Sequence, residues 1–188
     1  MKTNLYEYLA GNEYPGRGIC IGKSPDGKKS MIAYFIMGRS TNSRNRVFDP
    51  IDGGIRTLAA DPSKMTDPHL IIYNPVLTFD QTTIVTNGDQ TNTIYDFMTR
   101  NDFPGYHFEA ALNTRTFEDD KPNWTPRISG VVDMRTGAYK LNILKSDEGD
   151  GNSVQRFTFD YPAPLVGEGH FISTYRCNGN PIPSFPGE

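Results

Sequence analysis

Short β-prone runs that are separated by tight turns constrain the fold of this chain more than any other feature. The apolar runs 18–23 and 30–37 flank Ser24-Pro25-Asp26-Gly27, whose residue types favour a turn, and therefore predict a β-hairpin. Residues 127–133 and 138–145 flank a four-residue turn that ends in glycine and predict a second hairpin. Because strands that are joined by hairpins run antiparallel, we expect a mainly antiparallel sheet.

The remaining pattern adds further strands and two helices. Residues 89–100 carry apolar side chains at helical spacing, which predicts a helix with Asp89 or Thr91 as its N-cap. A second, short helix is predicted at 106–113. Further strands are predicted at 68–73, 75–79, 82–86, 154–160 and 169–176, and irregular segments at 39–47 and from residue 178 onwards. Strands that are adjacent in sequence, with few helices, indicate the α+β class, although periodicity alone does not distinguish a helix-covered sandwich from a barrel.

Length and charge limit the class of protein and of partner. The chain has 188 residues, which fits one domain over residues 1–188. Its net charge of -3 argues against DNA or RNA as the main partner, because nucleic-acid binders normally carry a basic surplus. A small phosphate ester needs only a local cluster of positive charge, which an acidic chain can still provide.

The sequence also bears on the cellular compartment. We find no secretory signal before Gly16 and no apolar run of the length that a membrane-spanning helix needs. The two cysteines, Cys20 and Cys177, are expected to be free thiols, because a disulfide framework normally uses more of them. We therefore expect a cytoplasmic protein with no membrane partner.

The loop at 39–46 concentrates groups that bind phosphate. It holds Arg39, Arg44 and Arg46 among hydroxyl and amide side chains, and it contains no acid. The arginine fork matches phosphate oxygens with two parallel hydrogen bonds, and serine and asparagine add neutral ones. These residues are equally compatible with an anion-binding loop and with an ordinary solvated loop.

Three further segments suit a functional site, although each residue pattern is more common as plain structure. Tyr73-Asn74 ends an apolar run, and a tyrosine hydroxyl can transfer protons. Asn87-Gly88 precedes the predicted helix, whose free backbone N–H groups can bind an anion. Glu118-Asp119-Asp120 precedes Arg127, which would give an acid and an anchoring cation. The three histidines lack the spacing of a metal site, and no phosphate-loop or dinucleotide motif occurs.

Several short motifs follow one another along most of the chain. They are Tyr14-Pro15-Gly16-Arg17, Arg39-Ser40 with Arg44 downstream, Tyr73-Asn74, Val85-Thr86-Asn87-Gly88 with Gln90-Thr91, Asn123-Trp124-Thr125-Pro126-Arg127-Ile128, and Ile172-Ser173-Thr174-Tyr175. Each motif is short and weak alone, but their order and spacing together resemble the archaeal-type IMP cyclohydrolase family. One departure is Trp124, which interrupts the Asn-Thr-Pro-Arg string of that family.

The resemblance implies both a fold and a reaction. The fold would be a four-layer αββα sandwich like that of the N-terminal nucleophile (Ntn) hydrolases. The reaction would close a formamidoimidazole carboxamide ribotide to IMP with loss of water, on a purine ribonucleotide substrate and with neither cofactor nor metal. Ntn hydrolases expose a Cys, Ser or Thr at position 1, whereas this chain begins Met1-Lys2-Thr3, so the fold would be shared and the chemistry would differ.

The resemblance also implies roles for individual residues. Arg44, with Arg39 as a second candidate, would anchor or polarise the substrate. Tyr73 would transfer a proton, and Glu118 would be its acidic partner, with Asp119 or Asp120 as alternatives. The substrate-binding residues would be Arg39, Ser40, Asn74, Asn87, Gly88 and Arg127.

Other functions fit the same sequence pattern. An amide hydrolase on this fold would need a nucleophile at a newly exposed N-terminus. A non-catalytic nucleotide-binding protein would bind IMP without turnover. A carbohydrate-binding β domain is suggested only by the aromatic content of 12% and should ignore phosphate. The sequence does not distinguish a monomer from a homo-oligomer.

Overall fold

Two antiparallel sheets stack face to face, and two helices cover the outer face of the larger sheet. A computed structural model describes residues 4–68, 71–100 and 107–187. The helices are α1 (Leu5–Ala10), α2 (Thr41–Arg44), α3 (Gln90–Thr99) and α4 (His107–Asn113). The strands are β1 (Arg17–Lys23), β2 (Ser30–Ile36), β3 (Val47–Ile51), β4 (Gly54–Leu58), β5 (Val76–Phe79), β6 (Thr82–Thr86), β7 (Arg127–Asp133), β8 (Tyr139–Ser146), β9 (Val154–Tyr161) and β10 (Gly169–Ser173).

The small sheet has the strand order β10-β1-β2, with both pairs antiparallel. Side chains alternate between the two faces of a strand, so Arg17 shares the inner face of β1 with Ile19 and Ile21. Ile19 and Ile21 are fully buried and pack against the large sheet. Tyr34 lies opposite Ile19 in β2 and therefore also faces inwards.

The large sheet is a meander of seven strands in the order β3-β4-β5-β6-β7-β8-β9. Its central strands β6 to β8 supply most of the apolar core between the two sheets. Gly130 in β7 allows this contact to be close, because a Cβ atom there would lie 2.6 Å from Cδ1 of Ile21. The inward-facing side of β1, on which Arg17 is the first residue, is therefore held tightly against the large sheet.

Helices α3 and α4 bury a second apolar cluster on the outer face of the large sheet. Ile94 of α3 and Phe108 and Leu112 of α4 pack there against Ile84 and Leu144 of the strands. On the outer face of the small sheet lies α1, whose Tyr8 ring meets the edge of Phe171. The α+β class with mainly antiparallel sheets is confirmed. In the described part of the chain, the layers are helix, sheet and sheet, with only the six-residue α1 in the fourth position. None of the described helices is long and apolar enough to cross a membrane.

Most predicted elements are confirmed, with small shifts of their ends. Both hairpins form as predicted, with β1 paired to β2 and β7 paired to β8. The first predicted helix is α3, and Asp89 occupies its N-cap position. The Asp89 carboxylate makes no capping bond, because it is bound by Arg115 and Arg127 instead. The second helix is α4, while the predicted start at Tyr106 falls outside the described residues.

The predicted strand at 68–73 was wrong for residues 71–73, and residues 69–70 lie outside the described part. Ile71 and Tyr73 are buried while Ile72 is more exposed, an alternation that imitates a strand. This segment instead forms an irregular turn that is bound to one residue of β4. Thr57 donates its hydroxyl to the Ile71 carbonyl at 2.6 Å and its N–H to the Tyr73 carbonyl at 2.9 Å.

The sequence did not predict β3, β4, α1 or α2. The β3–β4 hairpin lies at the edge of the large sheet, and Thr57 is its one fully buried side chain. Its pattern therefore lacks apolar alternation, and Pro50 further weakens the strand signal. Helix α1 has no buried residue, and α2 is a single turn within the loop predicted at 39–47.

Candidate active site

One cleft of about 210 Å³ brings together polar residues that are far apart in sequence. It lies where the first strand of the small sheet begins, beside the α2 loop and the turn at Ile71. Its opposite wall is formed by the segment 118–125 and by Tyr175, which follows β10. The main polar residues of the lining are Arg17, Arg39, Ser40, Glu118, Asp120 and Tyr175.

Tyr73 is held at both ends. Its backbone N–H donates to the Thr57 hydroxyl at 3.0 Å, and its carbonyl accepts from the Thr57 N–H. At the other end, its hydroxyl lies 2.8 Å from the hydroxyl of Tyr34. Burial raises the pKa of Tyr73, whereas the positive charges of Arg46 and Arg17 lower it and partly offset that effect. Tyr73 is thus a neutral, rigidly held proton donor beside two cations.

Arg17 projects into the buried end of this cleft. Its backbone N–H donates to the Thr174 hydroxyl at 3.1 Å, and the preceding Gly16 has a φ of 74°. A Cβ atom on Gly16 would lie 2.2 Å from that same hydroxyl, so only glycine permits this approach. The Arg17 side chain is 8% exposed, and its buried Nε has no hydrogen-bond partner among the described residues.

Glu118 is the buried carboxylate of the site. Its backbone N–H donates to the Thr125 carbonyl at 2.9 Å, which fixes the start of the wall segment. No side chain of the described residues hydrogen-bonds to its carboxylate, which is therefore available to a ligand. Burial raises the pKa of Glu118, and Arg17 and Arg127 offset only part of that rise.

Arg46 completes the charged group from the end of the α2 loop. Its Nε donates to the Ser43 carbonyl at 2.9 Å and its Nη2 donates to the Ser43 hydroxyl at 2.8 Å. Its Nη1 is buried and has no partner among the described residues. Burial lowers the pKa of Arg46, but an arginine keeps its charge in proteins. Arg17 and Arg46 thus each have a buried N–H group without a partner among the described residues, and their charges interact with each other.

Arg44 lies elsewhere in the same loop. Its side chain is exposed and its Nε donates to the Gly38 carbonyl at 2.9 Å. It lines a neighbouring notch beside Phe48, to which Arg46 also contributes. Of the two arginines it is Arg46 whose charge acts on Tyr73, although they are only two positions apart.

Arg39 and Ser40 lie at the open end of the cleft. The Arg39 guanidinium lies over the Tyr14 ring, 5.1 Å from its centre, and donates to the Asn178 side chain and the Gly179 carbonyl. The Ser40 hydroxyl caps α2 by accepting from the Ser43 N–H. A flat cation and a hydroxyl thus border the entrance, where a charged substituent of a ligand would be accessible to solvent.

Asn74, Asn87, Gly88 and Arg127 belong to a network at the start of α3, beside the cleft. Asn87 is buried and bonds to the Pro126 carbonyl and the Ile128 N–H, which ties it to β7. Arg127 donates to Asp89 at 2.6 Å and to Gln90 at 2.8 Å, and a Cβ atom on Gly88 would lie 2.7 Å from its Nη1. Asn74 points to α3, where its amide donates to Asn92.

The wall segment 118–125 is braced from both sides. The Asp120 carboxylate accepts from the Thr125 N–H and hydroxyl, and that hydroxyl also bonds to the Tyr175 hydroxyl. Burial raises the pKa of Tyr175 to about 12, so it stays protonated. Between Asn123 and Thr125, Trp124 adopts a positive φ of 44°. The Trp124 ring rests on Phe117 and against Gly151 in the β8–β9 turn.

The sequence interpretation assigned no individual role to Arg17, Tyr34 or Tyr175, and it included Arg46 only as one of three arginines in the anion-binding loop. All four residues belong to this constellation. Two of them had a detectable signal. Arg17 and Tyr34 occupy inward positions of β1 and β2, where the neighbouring inward side chains Ile19, Ile21, Ile32 and Ile36 are all isoleucine. A buried polar residue in an otherwise apolar stripe marks a functional site, since burial without partners is costly.

The arrangement suits acid–base chemistry on a polar ligand. It combines one buried carboxylate, two neighbouring phenols and two guanidinium groups with unpaired N–H donors. Glu118 and Arg17 line the cleft, and the other groups interact electrostatically with them. Such donors stabilise negative charge that develops on a bound molecule. Within residues 4–68, 71–100 and 107–187, no three His, Cys, Asp or Glu side chains are grouped to hold a metal ion.

Comparison with known proteins gives this chain a family. The IMP cyclohydrolase of Methanopyrus kandleri is 28% identical over 162 residues, which cover 86% of this chain and 75% of that protein. The IMP cyclohydrolase of Methanococcus aeolicus is 29% identical over 166 residues, or 87% and 75% of the two chains. That of Methanosphaera stadtmanae is 27% identical over 165 residues, or 88% and 75%. The model of the family described as IMP cyclohydrolase-like protein matches residues 14–187, a range that includes every residue of the cleft. The chain therefore belongs to the IMP cyclohydrolase-like family.

Proposed function

We propose that this protein is an IMP cyclohydrolase, which closes a formamidoimidazole carboxamide ribotide to IMP and water in purine nucleotide synthesis. The observation that carries the proposal is the electrostatically coupled group of Glu118, Tyr73, Arg17 and Arg46, of which Glu118 and Arg17 line the cleft. These residues provide a base, an acid and anion-stabilising donors within a single site. The family membership identifies the reaction to which this chemistry applies. A cytoplasmic location stays a prediction.

The reaction is intramolecular, so the main task of the site is to hold one conformer of the substrate. The carboxamide nitrogen attacks the formyl carbon, a C–N bond forms, and the formyl oxygen becomes the hydroxyl of a tetrahedral intermediate. The C–O bond then breaks and that oxygen leaves as water. One proton of this water comes from the carboxamide nitrogen and the other from the formamido nitrogen.

Glu118 and Tyr73 would move these protons. Glu118 accepts the proton of the attacking nitrogen, and Tyr73 donates its phenolic proton to the formyl oxygen as the new bond forms. In the second step, protonated Glu118 donates its proton to the leaving hydroxyl, which departs as water. The Tyr73 phenolate takes the proton of the former formamido nitrogen. Both residues thus return to their starting state, and the reaction consumes no other reagent.

Arg17 and Arg46 would stabilise the charge that develops on the oxygen during attack. Their unpaired N–H groups are buried and preorganised, so they require little rearrangement when that charge appears. Arg39 and Ser40, at the solvent-facing end, would contact the ribose phosphate. We propose that Asn74, Asn87, Gly88 and Arg127 act on the ribose and base side of the substrate, because the charge of Arg127 reaches Glu118 of the cleft wall.

A related proposal concerns the fold. The stacked sheets and the helices on one outer face support an Ntn-hydrolase-like αββα arrangement. In this chain, α1 would occupy the position of the second helical layer of that arrangement, which covers the small sheet.

Turnover of the formamido ribotide is the direct test. The purified protein should convert the compound to IMP in a spectrophotometric assay, without added metal or cofactor. IMP should also raise the melting temperature, because a ligand that binds only the folded state stabilises it, and inosine should do so much less. Stabilisation by IMP without turnover would instead identify a non-catalytic nucleotide-binding protein. Equal stabilisation by IMP and inosine would exclude a phosphate contact.

Glu118→Gln should remove turnover and yet stabilise the protein at neutral pH. The raised pKa of Glu118 means that ionisation is disfavoured in the folded state relative to the unfolded chain. This penalty is absent below the unfolded pKa, grows as pH rises and is complete above the raised folded pKa. Glutamine resembles the protonated acid and lacks the penalty, so its melting temperature should exceed that of the wild type at pH 7 but not at pH 4.

The control is the pH dependence of the wild-type rate. If Glu118 acts as the base, kcat/KM should rise with pH through a pKa above the ordinary carboxyl range. In Arg17→Met this rise of kcat/KM should occur at higher pH, because the Arg17 charge lowers the pKa of Glu118. A Glu118→Gln protein that melts at a lower temperature at pH 7 would assign Glu118 a structural role instead.

A further inference from the structure

The hydroxyl of Tyr34 is bonded to the hydroxyl of Tyr73 at 2.8 Å. Tyr34 lies on β2 of the small sheet, whereas Tyr73 is bound through Thr57 to β4 of the large sheet. The ring of Tyr34 packs against Phe48, with 5.9 Å between the ring centres. The bond therefore joins the two sheets at the atom to which we assign proton transfer.

We propose that Tyr34 is a positioning residue that acts through Tyr73, because its hydroxyl donates a hydrogen bond to the Tyr73 oxygen. This bond would fix the Tyr73 hydroxyl with its proton directed to the substrate oxygen, and it would stabilise the phenolate that forms when this proton is transferred. The proposal rests on the proposed function. It extends that function by a residue that does not touch the substrate.

The direction of the bond follows from the charges around the two phenols. The groups that face Tyr73 are Arg17 from β1, Tyr34 from β2, Arg46 after α2 and Glu118 from the wall segment. Burial raises the pKa of both phenols, and Arg17 and Arg46 lower the pKa of both. The pKa of Tyr34 is nevertheless raised further than that of Tyr73, because its bond to Tyr73 adds to the rise, whereas the same bond lowers the pKa of Tyr73. Negative charge therefore belongs on Tyr73, and Tyr34 remains the donor.

A double-mutant cycle tests whether Tyr34 acts through Tyr73. Tyr34→Phe alone should lower kcat roughly 10-fold and leave KM within about 2-fold, because no substrate contact is lost. In the Tyr73→Phe background, Tyr34→Phe should change kcat by less than about 2-fold, since its partner is already gone. Tyr161→Phe is the matched control. It removes only the hydroxyl of a tyrosine whose ring stacks on His170 outside the cleft, and it should leave kcat unchanged.

A second readout does not depend on activity. In protein labelled with ¹³C at the tyrosine Cζ, the resonance that disappears in Tyr73→Phe reports on Tyr73. In Tyr34→Phe this resonance should begin to titrate at higher pH than in the wild type, because the phenolate has lost a donor.

The proposal would be overturned if the two substitutions lowered kcat independently, so that their effects multiplied in the double variant. It would also be overturned if the Tyr73 resonance titrated at the same pH in Tyr34→Phe as in the wild type. If the wild type lacks turnover, the proposed function fails, and the titration still decides whether Tyr34 tunes Tyr73. The two failures are therefore distinguishable.

Discussion

Tyr73→Phe is expected to lower kcat by roughly 10²–10⁴-fold, the usual contribution of a general acid–base group. The variant keeps the ring, whose backbone is anchored by Thr57, and removes only the hydroxyl beside Arg17 and Arg46. Because the groups that would hold the nucleotide remain, the dissociation constant of IMP should change much less. The measurement compares single-turnover cyclisation rates with IMP binding in the two proteins.

The main alternative is that Tyr73 serves only to join the two sheets. In that case Tyr73→Phe would lower the melting temperature, because Tyr34 loses its partner, and cyclisation would continue at the wild-type rate. Such a result would remove Tyr73 from the mechanism and leave the proposed chemistry to Glu118 and the arginines.

Arg46→Gln is expected to lower kcat by roughly 10²–10³-fold, the range seen when one preorganised donor to a developing oxyanion is removed. The glutamine side chain is shorter and neutral, so it cannot place a charged N–H group where Nη1 of Arg46 lies. The loss should appear mainly in kcat rather than KM, because the charge that Arg46 meets exists only in the transition state.

Arg44 provides the matched control for this experiment. It belongs to the same loop, but its side chain is exposed and bonded to the Gly38 carbonyl. We therefore expect Arg44→Gln to have a much smaller effect on kcat than Arg46→Gln. The opposite ranking would mean that the α2 loop rearranges on substrate binding and turns Arg44 into the cleft.

Local sequence signals predicted the centre of the fold and missed its edges. The two hairpins could be predicted because their turns carry the residue types that the geometry demands, as in Ser24 to Gly27. The β3–β4 hairpin gave no such signal, since it buries little. The segment at 71–73 has the burial alternation of a strand, but its carbonyls bond to Thr57 rather than to a partner strand. Such a contact between distant residues cannot be derived from periodicity.

The candidate site was predictable to a similar extent. Tyr73 and Glu118 were selected by their resemblance to a family motif, and the structure brings the two side chains close enough to interact electrostatically. The choice between Arg44 and Arg46 depends on which side chain the α2 turn directs inwards, and this is a tertiary property. Arg17 and Tyr34 could have been found from the strand pattern, because they interrupt an inward stripe of isoleucines.

The packing of Trp124 has a consequence for how this enzyme could diverge. The backbone at Trp124 turns between two residues of the cleft wall, while its ring is held outside the cleft by Phe117 and Gly151. Any side chain at Gly151 would collide with that ring, since a Cβ atom would lie 2.4 Å from it. Mutations or insertions in a surface turn between two strands would thus reshape the substrate cleft from a distance. Selection for a differently substituted nucleotide could act on that turn and leave every proton-transferring residue unchanged.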